Sequence, residues 1–143
     1  MDMEEYSRWY NQAEHTLRSS YRDIKDGDYS WACFKAQQAA ELGIKALLKA
    51  FGISVVGHSL VKLSYELDKA GIEKPEDYMK WARKLDRDYI QPRYPDAYPQ
   101  GSPYEYYDEE DAKLSIEYAQ KILAFVEGYV NEHCNGDKEG KEE

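Results

Sequence analysis

Apolar residues at three- and four-residue steps constrain this chain more than any other feature. Tyr6, Trp9, Tyr10, Ala13, Leu17, Tyr21 and Ile24 draw one stripe along a helix of about six turns. Gly27 stops it, because glycine enters the left-handed conformation past a helix end at little cost. Asp28 follows at once and is placed to cap a second helix. So short a connection predicts an antiparallel hairpin. The second helix is expected over about 29–51, with Ala32, Ala36, Ala39, Ala40, Gly43, Ala46, Leu47 and Ala50 facing inward. These small side chains predict close approach of helix axes, within one bundle or across a dimer. Its opposite edge reads Gln37, Glu41, Lys45 and Lys49, and Glu41 four residues before Lys45 is the favourable order for a surface pair.

The pattern continues with a shorter helix over about 58–70, carried by Leu60, Leu63 and Leu67. A fourth starts near Pro75, with Tyr78, Trp81, Ala82, Leu85 and Tyr89 inward, and Pro92 disfavours helix at Gln91. Residues 92–107 have no period. They hold four of the five prolines and five tyrosines, a composition of rigid rings that predicts an ordered loop packed on the helices. Asp108 opens the last helix, with Asp111 placed as in a capping box. The charged stretch 135–143 has no apolar anchor and is expected to be a disordered tail after a domain over 1–134. There is no repeat and no strand-like alternation. The expected class is all-α: an antiparallel bundle of four or five helices with a long Pro/Tyr-rich loop before the last.

Charge narrows the function classes. The net charge of −9 argues against a protein that coats nucleic acid by charge alone. No run approaches the ~20 apolar residues of a membrane helix, and no basic-then-apolar start suggests a secretory signal. Cys33 and Cys134 are too few and too far apart for a disulfide scaffold, which suits a cytoplasmic setting. No metal site is expected, since His15, His58 and His133 lack ligand spacing, and no cofactor is implied. The acids Asp108 to Asp111 are accounted for by helix capping and the macrodipole.

One region carries candidate chemistry. Lys80, Arg83, Lys84 and Arg87 recur on one face of the fourth helix, with Asp86 and Asp88 interspersed. Arg93 follows between Pro92 and Pro95, beside a tyrosine-rich loop. A planar guanidinium held in place suits phosphate or carboxylate, and neighbouring rings suit stacking on bases. His58, just before Ser59, suits a helix cap or a pocket.

The run YSWACFKAQQAAE over 29–41, continued by Lys45-Ala46-Leu47-Leu48, resembles the second-helix signature of HEPN domains (higher eukaryotes and prokaryotes nucleotide-binding). So do His58-Ser59-Leu60 with Leu63, and Leu85-Asp86 through Tyr89-Ile90 to Arg93-Tyr94-Pro95-Asp96-Ala97. The resemblance spans about Tyr6 to Val130. It implies a helical bundle that dimerises and a small, separately encoded nucleotidyltransferase partner, as in toxin–antitoxin pairs. Many members are metal-independent ribonucleases with an R-x(4–6)-H motif. Here Tyr98 stands where that histidine would be, followed by Pro99 and Gln100. The resemblance therefore implies a module that binds a nucleotide or RNA phosphate through Arg93, Tyr94, Asp96, Tyr98, Arg87 and Arg83, without ribonuclease activity. Two alternatives stay open. One is a metal-independent ribonuclease in which Tyr98 or His58 replaces the missing histidine beside Arg93. The other is a purely structural interaction domain in which Arg93 pairs with an acid such as Asp96.

Overall fold

In the computed structural model, the described residues are 1–142 for the backbone and 1–134 for the side chains. They form five α-helices and no strand: α1 Met3–Lys25, α2 Tyr29–Ala50, α3 Leu60–Lys69, α4 Tyr78–Arg87 and α5 Glu109–Glu142. Two short 3-10 turns, Pro95–Ala97 and Pro103–Tyr106, give the long loop its order. The charged tail expected from residue 135 lies outside the residues whose side chains are described.

α1 and α2 form the expected antiparallel hairpin. Gly27 takes φ 77°, and Asp28 N–H donates to the Asp23 carbonyl at 2.8 Å, which reverses the chain in three residues. At the far end Asp2 N–H donates to the Ala50 carbonyl, tying the start of α1 to the end of α2. Asp28 occupies the cap position of α2, but its side chain makes no capping bond. Asp2 caps α1 through Glu5 N–H instead, a cap the periodicity did not show.

α2 is the centre of the molecule. It packs on all four other helices. Fifteen of its twenty-two residues are buried, so it has no broad solvent face. Gln37, Glu41 and Lys45, expected on an exposed edge, are among the buried ones. The small-residue stripe works as expected inside the bundle. A Cβ placed on Gly43 would collide with Leu123 Cδ2, so α2 and α5 meet with no room for a methyl group. Gly43→Ala is expected to cost about 1–3 kcal/mol by overpacking, read in urea denaturation. Ile44, Leu47, Leu48, Leu60, Tyr78, Leu85, Ile122, Val126 and Val130 fill the core around it.

The last three helices settle close to expectation. α3 begins at Leu60, and its cap is Ser59, which accepts from Lys62 N–H, rather than His58. α4 begins at Tyr78, since Pro75 and the residues after it form turns. Asp108 and Asp111 cap the start of α5 reciprocally: each carboxylate accepts from the other's N–H, at 2.9 and 3.0 Å. No helix of the described residues is long and apolar enough to cross a membrane.

Candidate functional site

Among the described residues, two charge clusters meet at α4 and its C-terminal end, one closed and one open to solvent. The closed one joins α4 to α5. Lys84 Nζ lies 2.9 Å from Asp88 Oδ2, and Ser115 Oγ is 2.6 Å from both Lys84 Nζ and Asp88 Oδ2. Asp88 is 2% exposed and Ser115 fully buried. Burial pushes the Asp88 carboxyl above the ordinary carboxylate range, against the pull of Lys84 and Ser115. Lys84 therefore leaves the basic face on which its spacing placed it. Lys80, Arg83 and Arg87 remain there, exposed and without an ion pair among the described residues.

The open cluster begins on α2. Glu41 is buried and takes Lys45 Nζ on Oε2 at 3.1 Å, one turn along the helix. Gln37 Nε2 reaches Glu41 Oε1 at 3.3 Å and the His58 carbonyl at 3.0 Å, and Gln38 supports Gln37. Glu41 also faces His58 Nδ1, at 3.2 Å from Oε1 and 3.3 Å from Oε2. The segment between α2 and α3 delivers that histidine. Gly57 takes φ 106° just before it, a conformation that side-chain-bearing residues rarely adopt. Just after it, Asp86 of α4 anchors the start of α3, accepting from Ser59 Oγ, Leu60 N–H and Val61 N–H.

Tyr89 links this histidine to the predicted arginine. The His58 ring stacks on Tyr89 with centroids 4.5 Å apart and planes 15° apart. Arg93 Cζ lies 4.8 Å from the same Tyr89 centroid, 3.9 Å from Phe34 and 4.9 Å from Tyr94. One edge of the guanidinium is occupied: Nε donates to the Tyr89 carbonyl at 2.8 Å, and Nη2 donates to the same oxygen. The group is half-buried and has no carboxylate within ion-pair distance among the described residues. Rings thus hold the cation by its faces while part of its donor set stays uncommitted. His58, Ser59, Asp86 and Tyr89 line a shallow hollow beside it.

The other sequence-predicted residues are placed differently. Tyr94 is at the site and half exposed. Asp96 is exposed in the first 3-10 turn, with no ion pair to Arg93. Tyr98 turns to its own loop, stacking on Tyr106 at 4.1 Å, and Tyr106 Oη donates to the Gln100 carbonyl. A hydrogen bond with Tyr98 helps raise the Tyr107 hydroxyl above its ordinary range, after burial as the larger cause. The structure therefore brings Arg93, Tyr94 and His58 to one place and leaves Arg83 and Arg87 on the open face of α4. Phe34, Glu41, Gln37 and Tyr89 belong to the cluster and were not singled out from sequence as site residues. For Gln37 and Glu41 the signal was polarity within a run of alanines on α2; Phe34 and Tyr89 carried no signal beyond their aromatic rings. Among the described residues no group of three or more His, Cys, Asp and Glu side chains is placed to hold a metal ion.

An all-α bundle with an unneutralised, ring-held arginine at its surface is the class that fold and site define. Comparison with known proteins assigns the family: the HEPN domain profile matches residues 6–129, and the chain belongs to that family. Solved structures agree in fold. TT1696 from Thermus thermophilus is 44% identical, with a TM-score of 0.83 over 86% of this chain and 96% of that one. ST0689, described as an archaeal HEPN homologue, is 39% identical, with a TM-score of 0.74 over 87% and 97%. The HEPN domain protein tm0613 from Thermotoga maritima is 34% identical, with a TM-score of 0.70 over 87% and 98%. A curated relative, "Putative toxin MJ1304" of Methanocaldococcus jannaschii, is 26% identical over 129 residues, 85% of either chain.

Proposed function

We propose that this chain is a HEPN module that binds the phosphate of a nucleotide or RNA through Arg93 and works with a nucleotidyltransferase partner, as one half of a toxin–antitoxin-type pair. One observation carries the reading: Arg93 is pinned by Phe34, Tyr89 and Tyr94, with no acid among the described residues to neutralise it. A cation kept half in solvent in a chain of net charge −9 is an attraction left for an anionic ligand. Tyr94, exposed beside it, offers a ring to a base. Arg83 and Arg87 add charge along the path from α4. Similarity to a protein named as a toxin supports the two-component reading. Half-exposed Trp31, Ile90 and Tyr94 near the site suit a contact with a second copy.

Titration with a fluorescent oligouridylate tests the binding. Arg93→Ala is expected to weaken it at least tenfold, and unchanged affinity would remove the phosphate role. Affinity purification of the tagged chain from its native cells is expected to retain a small nucleotidyltransferase. Recovery of the chain without one would remove the partnership.

A second reading is favoured by the place of His58. Its imidazole shares Tyr89 with Arg93, so a proton acceptor and a phosphate anchor lie on one ring. This is the rearranged ribonuclease, with His58 rather than Tyr98 in place of the absent histidine. Turnover of RNA in EDTA, abolished in both Arg93→Ala and His58→Phe, is the outcome that would favour it.

A further inference from the structure

A cavity of about 570 Å³ lies between α5 and the connection from α3 to α4, and it shares no residue with the Arg93 site. That volume is within the range of small-ligand sites. Gly128 of α5 lines it. A Cβ on Gly128 would meet nothing within 4 Å, whereas one on Gly43 would strike Leu123. Packing inside this chain therefore does not call for a glycine at 128. Glycine weakens a helix interior, so its presence there has another reason. It leaves bare backbone at the cavity and room for a ligand to come close. Rings precede and follow it along α5. Tyr129 stacks on His133 with centroids 4.0 Å apart, and Phe51 and Phe125 meet Tyr129 edge-on at 6.1 and 6.3 Å. His133 Nδ1 lies 2.9 Å from the Tyr129 carbonyl, which can only accept, so that ring is held as well.

The charges at the cavity divide unevenly. Lys74 borders it, but its ammonium is spent on Asp68 and the Ser64 carbonyl. Glu73, on the α3–α4 connection, and Glu132, on α5, are exposed and have no ion pair or hydrogen bond among the described residues. One uncommitted acid thus stands on each of the two segments that form the cavity. Rings and bare backbone make up much of the rest. Among the described residues, acids do not gather as metal ligands would. We propose that this cavity binds an aliphatic polyamine, with one ammonium at Glu73, another at Glu132 and the methylene chain against Gly128 and the Tyr129 and Phe125 rings. The match is one of pattern. A diamine has two cations joined by an apolar spacer, and the cavity has two anions on separate segments with apolar surface beside them. Aromatic faces add attraction for an ammonium. A lysine side chain of a protein partner brings a single ammonium and would leave one acid unmatched. The proposal does not depend on the phosphate-binding reading.

Calorimetric titration of the full chain with spermidine, 1,4-diaminobutane and butylamine at physiological ionic strength tests this. Spermidine and diaminobutane are expected to bind saturably, and butylamine about fivefold more weakly than diaminobutane, the worth of one exposed ion pair. Glu73→Gln and Glu132→Gln are each expected to weaken diaminobutane by about the same fivefold factor. Gly128→Leu fills the cavity with a better helix former and is expected to abolish binding, with circular dichroism and the urea midpoint showing that the fold is kept. Glu4→Gln, which removes an exposed acid at the start of α1, is expected to change nothing. Absence of saturable binding by the unmodified protein overturns the proposal. So does an equal loss in Glu4→Gln and the two cavity variants, because binding would then follow the net charge of −9. Butylamine binding as tightly as diaminobutane overturns it in favour of a single cation, such as the lysine of a partner chain.

Discussion

The Lys84–Asp88–Ser115 cluster and the Glu41–Lys45–His58–Arg93 cluster are built from the same parts. Each contains a lysine and an acid four residues apart, along α2 in one and at the C-terminal end of α4 in the other, and each buries the acid. They differ in how they end. In the first, lysine, carboxylate and hydroxyl satisfy one another, and the network closes. In the second, the chain of contacts runs outward from a buried carboxylate to an imidazole and then, across Tyr89, to a guanidinium, both reaching solvent with donors or acceptors to spare. A closed polar network holds helices together. An open one holds side chains ready for something else.

Breaking the closed cluster is expected to give the largest effect. Lys84→Met strands Asp88 between α4 and α5 and should cost about 3–5 kcal/mol of stability, read in urea denaturation. Nucleotide binding should persist in whatever fraction stays folded. A loss below about 1 kcal/mol would mean that this pair does not bind α4 to α5. The open cluster is expected to respond in the opposite sense. Arg93→Ala should lower oligouridylate affinity at least tenfold, about 1.4 kcal/mol, with the urea midpoint nearly unchanged. Large destabilisation in that variant would turn Arg93 into a structural residue and erase the contrast. A smaller effect sharpens it: Ser59→Ala removes the α3 cap and the bond to Asp86, and should cost about 1 kcal/mol of stability. His58 would then sit less firmly on Tyr89, so affinity should fall only a fewfold.

The contrast also explains what sequence pattern could reveal. The helices were legible because apolar spacing reports which face is buried, and α1, α4 and α5 each have one such face. The Asp108–Asp111 cap was legible because capping depends on residues three apart. Arg93 stood out because it lies between Pro92 and Pro95 in a tyrosine-rich loop, where few residues are charged. The burial of Glu41 and Gln37 was not legible. α2 is surrounded, so its polar residues point at other helices rather than at water, and periodicity alone cannot tell a solvated edge from a buried polar contact. Lys84 was misplaced for the same reason: helical spacing put it with Arg83 and Arg87, while its partner Ser115 lies on a helix far along the chain. The meeting of His58 with Tyr89 depends on how the α2–α3 segment folds back. That is a tertiary fact, set by Gly57 and by the Asp86 contacts, with no trace in local pattern.

The most direct test of the open site ranks three arginines on one ligand. Arg93→Ala, Arg83→Ala and Arg87→Ala are titrated with the same oligouridylate at the same ionic strength. The ring-held guanidinium is expected to account for a loss of tenfold or more, and each of the two α4 arginines for less than threefold. Equal losses in all three variants would mean that binding follows bulk charge, and the account of Arg93 as a built site would be contradicted.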